Sequence, residues 1–236
     1  MGLNFRLRMA KLSVITDLRR SRGDFTSFVA DVLEAGADII DIRDADAPPA
    51  ELVAGLEAAR QAAMRTQALV VTNDVRAARE FNTDVLHLGA AAALGASEAR
   101  NHVHQWALIG RSVHSSAQLA DGLADGHASY LMVGPVWTST AHPTWEAPGL
   151  DLVREAATRA PAFAEPRSTP WFAVGGITPD NVDQVLDAGA RRIAVGHGVT
   201  GSTTPSEAVT RLKSAIIGAW NADEASEAYV LKAFAD

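Results

Sequence analysis

The 236-residue sequence contains no cysteine. This absence excludes disulfide bonds, a catalytic thiolate and any zinc site that needs cysteine ligands. Long apolar runs are also missing, because nowhere do about 18 apolar residues follow one another as a membrane-spanning helix requires. Residues 1–11 carry arginine at positions 6 and 8, so they lack the unbroken apolar segment of a signal peptide. The sequence therefore predicts a cytoplasmic protein that does not enter a membrane.

Positive charge is not in excess either. The chain has 21 lysines and arginines against 28 acidic residues, and its formal net charge is −7. Proteins that bind nucleic acids or anionic membranes usually present a basic surface, so we expect neither partner here. Hydrophobic residues make up 47% and charged residues 21% of the chain. This composition is typical of a globular protein with enough apolar material for a core.

Eight short runs rich in valine, isoleucine and leucine alternate with amphipathic segments along the chain. Runs of this kind are typical of parallel strands that are buried on both faces, and the alternation indicates repeated βα units. An open doubly wound sheet would give a similar rhythm, but eight runs at this length favour a single (β/α)₈ barrel, which needs roughly 250 residues. The predicted strands are Leu12–Thr16, Ile39–Arg43, Ala68–Thr72, Val85–Leu88, Ala107–Gly110, Tyr130–Val133, Trp171–Val174 and Arg192–Val195.

The predicted barrel accounts for residues 12–220. Residues 1–11 precede the first strand as an N-terminal extension, and residues 221–236 follow the last barrel helix as a C-terminal tail. We expect the tail to form a helix that covers the barrel or packs on a neighbouring subunit, or else to fray. The sequence leaves the oligomeric state open, a homo-oligomer included.

Glycine-rich turns follow the seventh and eighth predicted strands. Residues 175–180 read GGITPD, in which Thr178 is suited to cap a helix that begins at Pro179, and residues 196–198 read GHG. Glycine lets a phosphate approach backbone N–H groups, and a helix N-terminus favours its negative charge. Because barrels often bind phosphate after strands seven and eight, we expect a phosphate site here; the alternative is two ordinary turns into capped helices. The candidate ligands are Gly175, Gly176, Gly196, His197 and Gly198.

Polar residues follow the fifth and third predicted strands. In an extended segment, Ser112 and His114 point the same way, and histidine suits proton transfer near neutral pH. The alternative is a polar strand end without function. After strand three, Asn73 is a candidate substrate ligand, and the carboxylate of Asp74 is suited to Mg²⁺ with a diphosphate. Here the alternative is that Asp74 caps the following helix.

The second strand and the loop after strand six add further candidates. Arg43 is a natural phosphate ligand, and the alternative is that it pairs with Asp46 on the surface. The loop after strand six is polar and bounded by prolines, as expected of a substrate loop. Its candidate ligands are Ser139, Thr140 and His142. The other histidines show no shared ligand spacing, so we expect no zinc site. They are His87, His102, His104 and His127, with His197 in the phosphate turn.

Together these motifs resemble the superfamily of thiamine phosphate synthases and thiazole tautomerases. The resemblance implies a (β/α)₈ barrel that binds a small phosphorylated thiazole in thiamine biosynthesis. Synthases of this superfamily join a pyrimidine diphosphate to a thiazole phosphate with Mg²⁺. Tautomerases move a proton on a thiazole carboxylate phosphate and need no metal. The matching segments read IR at 42–43, ND at 73–74, HLG at 87–89, GRSVHS at 110–115, GPV at 134–136 and VGGIT at 174–178.

The sequence departs from the synthase pattern in three parts of the diphosphate site. Where the synthase pattern at strand two resembles Gln-x-Arg-x-Lys, the glutamine is replaced by Asp41 and the lysine by Ala45. Ala92 stands where the pattern has a second magnesium ligand, and His142 where it has a lysine. A leaving diphosphate needs its charge neutralised, and each charge-assisted contact is worth roughly 1.5–3 kcal/mol. These losses predict slow coupling of the two substrates.

The segment GRSVHS, in contrast, resembles the tautomerase version, whose histidine transfers the proton. The resemblance gives this role to His114. Our leading expectation is therefore a cofactor-free enzyme similar to thiazole phosphate tautomerases. Asp74 fits the synthase better, so a synthase with Mg²⁺ at Asp74 remains the alternative. A third alternative is a non-catalytic protein that binds thiazole phosphate or thiamine phosphate.

Overall fold

The computed structural model describes residues 2–89, 92–138, 147–164 and 168–235. Its eight strands are parallel and close into a barrel in chain order, with β8 paired to β1. The predicted (β/α)₈ barrel is confirmed. The strands are β1 Leu12–Thr16, β2 Ile39–Ile42, β3 Leu69–Thr72, β4 Val85–Leu88, β5 Leu108–Val113, β6 Tyr130–Val133, β7 Trp171–Val174 and β8 Ile193–Val195.

Helices lie between the strands and at both chain ends, and within the described ranges none is long and apolar enough to cross a membrane. A 3₁₀ turn at Arg100–His102 extends α5. The helices are α1 Leu3–Met9, α2 Phe25–Glu34, α3 Pro49–Thr66, α4 Val75–Phe81, α5 Ala96–Ala99, α6 Ser116–Ala124, α7 Gly149–Arg159, α8 Val182–Asp187, α9 His197–Thr200, α10 Pro205–Asn221 and α11 Ala225–Ala235.

Strand alternation separates the apolar core into two layers. Because successive side chains of a strand point to opposite faces, one set fills the barrel interior and the other packs under the helices. The interior layer leaves no pore, so a ligand can approach the barrel only from its ends. The apolar side chains of this layer include Ile39, Leu69, Val71, Val85, Leu108, Tyr130, Met132 and Phe172.

Both chain ends lie at the N-terminal end of the barrel. The N-terminal extension forms α1, and its Leu7 packs against the interior layer with only 2% exposure. The tail forms α11, which contacts α1. Tyr229 of α11 accepts a hydrogen bond from Nη2 of the buried Arg192 at 3.1 Å. The extension and the tail thus cover the N-terminal end of the barrel. The candidate site residues lie at the opposite end, at the C-termini of the strands.

Lys11 lies at this covered end as well. Its Nζ is 4.0 Å from the ring centroid of Trp220 and donates to the carbonyl of Met9 at 3.2 Å. Burial lowers the pKa of Lys11 from about 10.5 to about 8, although the nearby Asp38 acts to raise it. The positive charge of Lys11 therefore lowers the stability of the folded protein.

Replacing Lys11 with methionine is expected to raise the free energy of unfolding near pH 7, by at most about 3 kcal/mol for a pKa lowered this far. The gain is present in full below about pH 8, where Lys11 is charged in both states. Between pH 8 and 10.5 the unfolded chain keeps a proton that the folded protein has lost, so the wild type regains stability and the gain shrinks. Urea unfolding across this pH range measures the difference. The control is Lys232→Met on the exposed face of α11, and a gain that does not change with pH would contradict the prediction.

Candidate active site

The candidate residues of strands two and five lie at the C-terminal end of the barrel, which we call the mouth. Asp41 has the same inward alternation as Ile39, and His87 the same as Val85. Strand β5 runs to Val113, three residues beyond its predicted end, because its last residues pair with β6. This pairing keeps Ser112 inward, as predicted, and brings it together with His87.

Arg43 forms an ion pair with Asp41 at the mouth. Its Nε lies 3.1 Å from both carboxylate oxygens, and its Nη2 lies 2.6 Å from Oδ2. Asp41 is fully buried, whereas the Arg43 side chain is 25% exposed. Burial acts to lower the pKa of Arg43, but the charge and hydrogen bonds of Asp41 raise it overall. The guanidinium therefore stays charged, and the alternative that Arg43 pairs with Asp46 is wrong.

His87 is the centre of a buried network that sequence reasoning missed. Its Nδ1 lies 3.0 Å from the hydroxyl of Tyr130 and its Nε2 lies 2.8 Å from that of Ser112. Burial lowers the pKa of His87 well below 6.5, and the charges of Arg43 and His114 lower it further. Burial likewise raises the pKa of Tyr130 well above its ordinary value. Both side chains are therefore neutral near pH 7. The available signal was the position of His87 two residues after the inward Val85.

His114 is half-buried just beyond the end of β5. Its Nδ1 donates to the carbonyl of Gly134, and its backbone N–H donates to Oε1 of Gln118 at 2.7 Å. When Nδ1 carries the proton of a neutral imidazole, Nε2 is left as an acceptor. The carbonyl of Gly134 thus determines the tautomer of His114 and gives the ring an acceptor nitrogen.

The turn after β7 needs glycine for two reasons. Gly175 and Gly176 have φ of +106° and +66°, which side chains rarely adopt. The segment after β6 also crosses closely, since the N–H of Trp137 donates to the carbonyl of Gly175 at 3.1 Å. A Cβ on Gly176 would lie 2.7 Å from the Cβ of Trp137. The conformation of this turn and the packing of the neighbouring strand end therefore depend on each other.

Asn181 fixes the rest of this turn. Its Nδ2 donates to the carbonyl of Gly176 at 2.9 Å, and its Oδ1 accepts from the N–H of Thr178 at 2.8 Å. Because these side-chain bonds satisfy the turn, α8 begins at Val182 rather than at Pro179, where the sequence predicted it.

The turn after β8 packs closely against the turn after β7. A Cβ on Gly198 would lie only 2.4 Å from the carbonyl oxygen of Ile177. Gly196 directly precedes the single turn of α9, which begins at His197. The predicted phosphate ligands therefore come from two adjacent turns that touch each other. Phosphate binding itself remains a prediction.

Replacing Gly176 with valine is expected to lower the affinity for inorganic phosphate at least tenfold and to lower the melting temperature. The branched side chain needs a φ that it rarely adopts and overlaps Trp137, so the backbone donors are displaced. Thr203→Ala is the control, because Thr203 is exposed in the loop between α9 and α10 and backbone donors do not depend on its side chain. Calorimetric titration with phosphate, together with thermal unfolding, measures both effects. Unchanged affinity in a folded Gly176→Val protein would refute this position for the phosphate.

Asp74 follows β3 at the mouth, next to the exposed Asn73. Its Oδ1 accepts from the N–H of Ala77 at 2.7 Å, so Asp74 caps α4. Over the ranges that the structure describes, no three histidine or acidic side chains form a metal cluster. Position 92 is an exposed alanine. A cation here would therefore need Asp74 and oxygen atoms from the substrate. Ser139, Thr140 and His142 lie outside the described residues, and their roles remain predictions.

Known proteins are similar in sequence to this chain over most of its length. The family model described as thiamine monophosphate synthase matches residues 12–199. The chain belongs to the thiamine monophosphate synthase family. A relative from Mycobacterium sp. strain KMS, named thiamine-phosphate synthase, is 41% identical over 221 residues, which cover 89% of this chain and 94% of that protein. The relative of the same name from Saccharopolyspora erythraea is 38% identical over 219 residues, 90% of this chain and 96% of that protein.

A solved structure with the same architecture is thiamine phosphate pyrophosphorylase from Pyrococcus furiosus. It superposes with a TM-score of 0.77 at 27% identity, and the match covers 92% of this chain and 99% of that one. The agreement extends the family assignment from the sequence to the three-dimensional arrangement of the barrel.

The expectation of a tautomerase is wrong. The relatives that are 38–41% identical over about nine-tenths of this chain are named thiamine-phosphate synthases. The expectation that no metal is needed depended on the tautomerase and falls with it. The error came from giving the three departures at Ala45, Ala92 and His142 and the six-residue segment GRSVHS more weight than the rest of the barrel. His114 in that segment bonds to the backbone carbonyl of Gly134, just after β6, a contact that either chemistry can use.

Proposed function

We propose that this member of the thiamine monophosphate synthase family is a cytoplasmic thiamine-phosphate synthase. It joins a pyrimidine diphosphate to a thiazole phosphate: the C–O bond to the diphosphate breaks, a C–N bond to the thiazole nitrogen forms, and inorganic diphosphate leaves. The observation that carries the proposal is the 41% identity to a thiamine-phosphate synthase over 221 residues. The polar mouth with an ionised arginine, next to two glycine turns, supports it.

The two anions of the substrates have separate places in this proposal. Arg43 is a cation at the mouth and contacts the diphosphate, since a guanidinium can donate two hydrogen bonds to phosphate oxygens. The turns at Gly176 and Gly198 hold the monophosphate of the thiazole through backbone N–H groups. This division puts the leaving group on the side of β2 and the accepting ring towards β7 and β8.

The neutral His87 network orients a hydroxyl at the mouth. In the tautomer with the proton on Nε2, Tyr130 donates to Nδ1 of His87, and Nε2–H donates to the oxygen of Ser112. The hydroxyl hydrogen of Ser112 is then directed to the substrate. Nε2 of His114 accepts from the substrate on the same side. These groups position the reacting ring.

The family implies Mg²⁺, and the residues present fit it in one way. Magnesium is usually held by one or two carboxylates with substrate phosphate oxygens. Asp74 supplies one carboxylate at the mouth and uses its Oδ1 to cap α4, and Asn73 lies beside it. When bound there, Mg²⁺ neutralises charge on the leaving diphosphate.

Replacing Asp74 with asparagine is expected to raise the Mg²⁺ concentration for half-maximal activity at least tenfold. Asparagine caps helices about as well as aspartate, so the melting temperature should stay within about 2 °C, which for this chain length is about 0.5–1 kcal/mol. Magnesium titrations of the coupling rate and thermal unfolding measure the two effects. Asp46→Asn, an exposed acid near the mouth, is the control for net charge. A Mg²⁺ dependence equal to that of the control would show that Asp74 binds no metal.

The proposed function is tested by product analysis. The protein is incubated with the pyrimidine diphosphate, the thiazole phosphate and excess Mg²⁺, and thiamine phosphate is separated by chromatography with His114→Ala in parallel. We expect equal amounts of thiamine phosphate and diphosphate from the wild type, and less from the variant. Binding of thiazole phosphate without any coupled product would overturn the proposal and support a non-catalytic binder.

A further inference from the structure

Two arginines lie near the end of β2, and each forms an ion pair with an acidic residue. Arg43 pairs with Asp41, and Arg20 from the loop after β1 pairs with Asp44 at 3.2 Å. Asp44 also accepts from the N–H of Leu18 at 3.2 Å, which holds the two loops together. The synthase pattern implied by the resemblance has an uncharged glutamine in place of Asp41. The net charge near the end of β2 is therefore less positive than in the synthase pattern.

Asp41 occupies the edge of Arg43 that a phosphate would use. Two of the three guanidinium nitrogen atoms, Nε and Nη2, donate to Asp41. A paired edge of this kind is the one that binds carboxylate or phosphate in two parallel bonds. The carboxylate is fully buried, where charges interact more strongly than in water. An incoming anion must therefore compete with Asp41 for the same donors and is repelled by its charge.

We propose that Asp41 is a positioning residue that acts through Arg43 and weakens the hold of the mouth on diphosphate. The inference rests on the proposed function in giving the diphosphate to Arg43. Asp41 sets the KM for the pyrimidine diphosphate and the inhibition by released diphosphate. In kinetic terms, removing its charge lowers both constants.

The direct test is calorimetric titration with inorganic diphosphate in the presence of a metal chelator. Asp41→Asn and Asp41→Gln are expected to bind diphosphate about ten- to a hundredfold more tightly than the wild type, the range for one charge-assisted contact. Asp46→Asn removes the same charge from an exposed position and is expected to change the affinity less than twofold. Equal affinities in the Asp41 and Asp46 variants would overturn the inference.

Two further measurements separate this role from a structural one. In an Arg43→Met background, Asp41→Asn should no longer increase diphosphate affinity, because the donor is gone. Diphosphate should also raise the melting temperature of Asp41→Asn more than that of the wild type, which can be read even if the variant is less stable. A gain in affinity that persists without Arg43, or equal melting shifts, would contradict the proposal.

A failure of the inference about Asp41 can be distinguished from a failure of the proposed function. Diphosphate binding is measured without pyrimidine or thiazole substrates. Tighter binding in the Asp41 variants with no thiamine phosphate from any protein would leave the inference standing and remove the synthase. Thiamine phosphate formation with unchanged diphosphate binding would leave the synthase standing and remove the inference.

Discussion

Arg43→Met is expected to lower the melting temperature by about 6–20 °C and the coupling rate about ten- to a hundredfold. The variant leaves the fully buried Asp41 without its partner, and breaking a buried pair in this way costs about 3–5 kcal/mol. For a chain of this length, 1 kcal/mol corresponds to roughly 2–4 °C. The rate falls because the charge-assisted contact of Arg43 to the diphosphate is lost, and one such contact is worth roughly 1.5–3 kcal/mol. Thermal unfolding and steady-state kinetics measure the two losses.

The double variant Asp41→Asn/Arg43→Met separates these losses. Removing the orphaned charge should restore most of the melting temperature, since a buried pair replaced on both sides is often neutral for stability. It should not restore the coupling rate, because the guanidinium of Arg43 is still missing. Recovery of both properties in the double variant would remove Arg43 from the substrate site.

Gly110→Ala is expected to lower the melting temperature by about 6–12 °C and to reduce coupling. A Cβ on Gly110 would lie 2.3 Å from Cζ of Tyr130 and 2.4 Å from its hydroxyl. Overpacking a core typically costs about 1–3 kcal/mol, and a rigid ring inside a closed barrel should place this change near 3 kcal/mol or above. Displacing Tyr130 also breaks its contact with His87, which holds Ser112 at the mouth.

Gly218→Ala is the matched control for this glycine substitution. Gly218 lies in α10, and a Cβ there would meet nothing within 4 Å, so alanine should be neutral or stabilise the helix by up to about 1 kcal/mol. In a Tyr130→Leu background, Gly110→Ala should cost at least about 1 kcal/mol less than in the wild type, the mark of direct coupling. Additive effects in the double variant would show that Tyr130 is not the obstacle.

The barrel was predictable because its strands carry a clear periodic signal. Apolar runs such as Leu12–Thr16 and Tyr130–Val133 coincide with β1 and β6. The signal failed where a polar segment belongs to a strand, as in the residues of β5 beyond Gly110. It also failed at α8, where Asn181 stabilises the preceding turn and delays the helix. At β5 the decisive bonds join residues 20 positions apart, whereas at α8 they join Asn181 to residues three and five positions before it.

The candidate site was predictable as a set of positions, not as a set of partners. Any residue just after a parallel strand reaches the same end of a barrel, so Arg43, Asp74, His114 and Gly176 were placed there correctly. The partner of Arg43 was not predicted, because Asp41 and Asp46 were both compatible with the sequence. His87 was set aside as isolated, since its contact with Tyr130 spans 43 positions along the chain.

The amino-acid sequence by itself determined the eight-fold alternation, the glycines of the turns after β7 and β8 and the resemblance to a thiamine-related superfamily. These properties depend on residue spacing and backbone geometry, which are local. Only the tertiary structure decided that Asp41 takes the donors of Arg43 and that His87 is neutral between Tyr130 and Ser112. The contacts of His87 depend on which strands are neighbours, and the pair of Asp41 and Arg43 depends on both side chains facing the barrel interior, where Asp41 is fully buried. Closing the barrel sets both conditions.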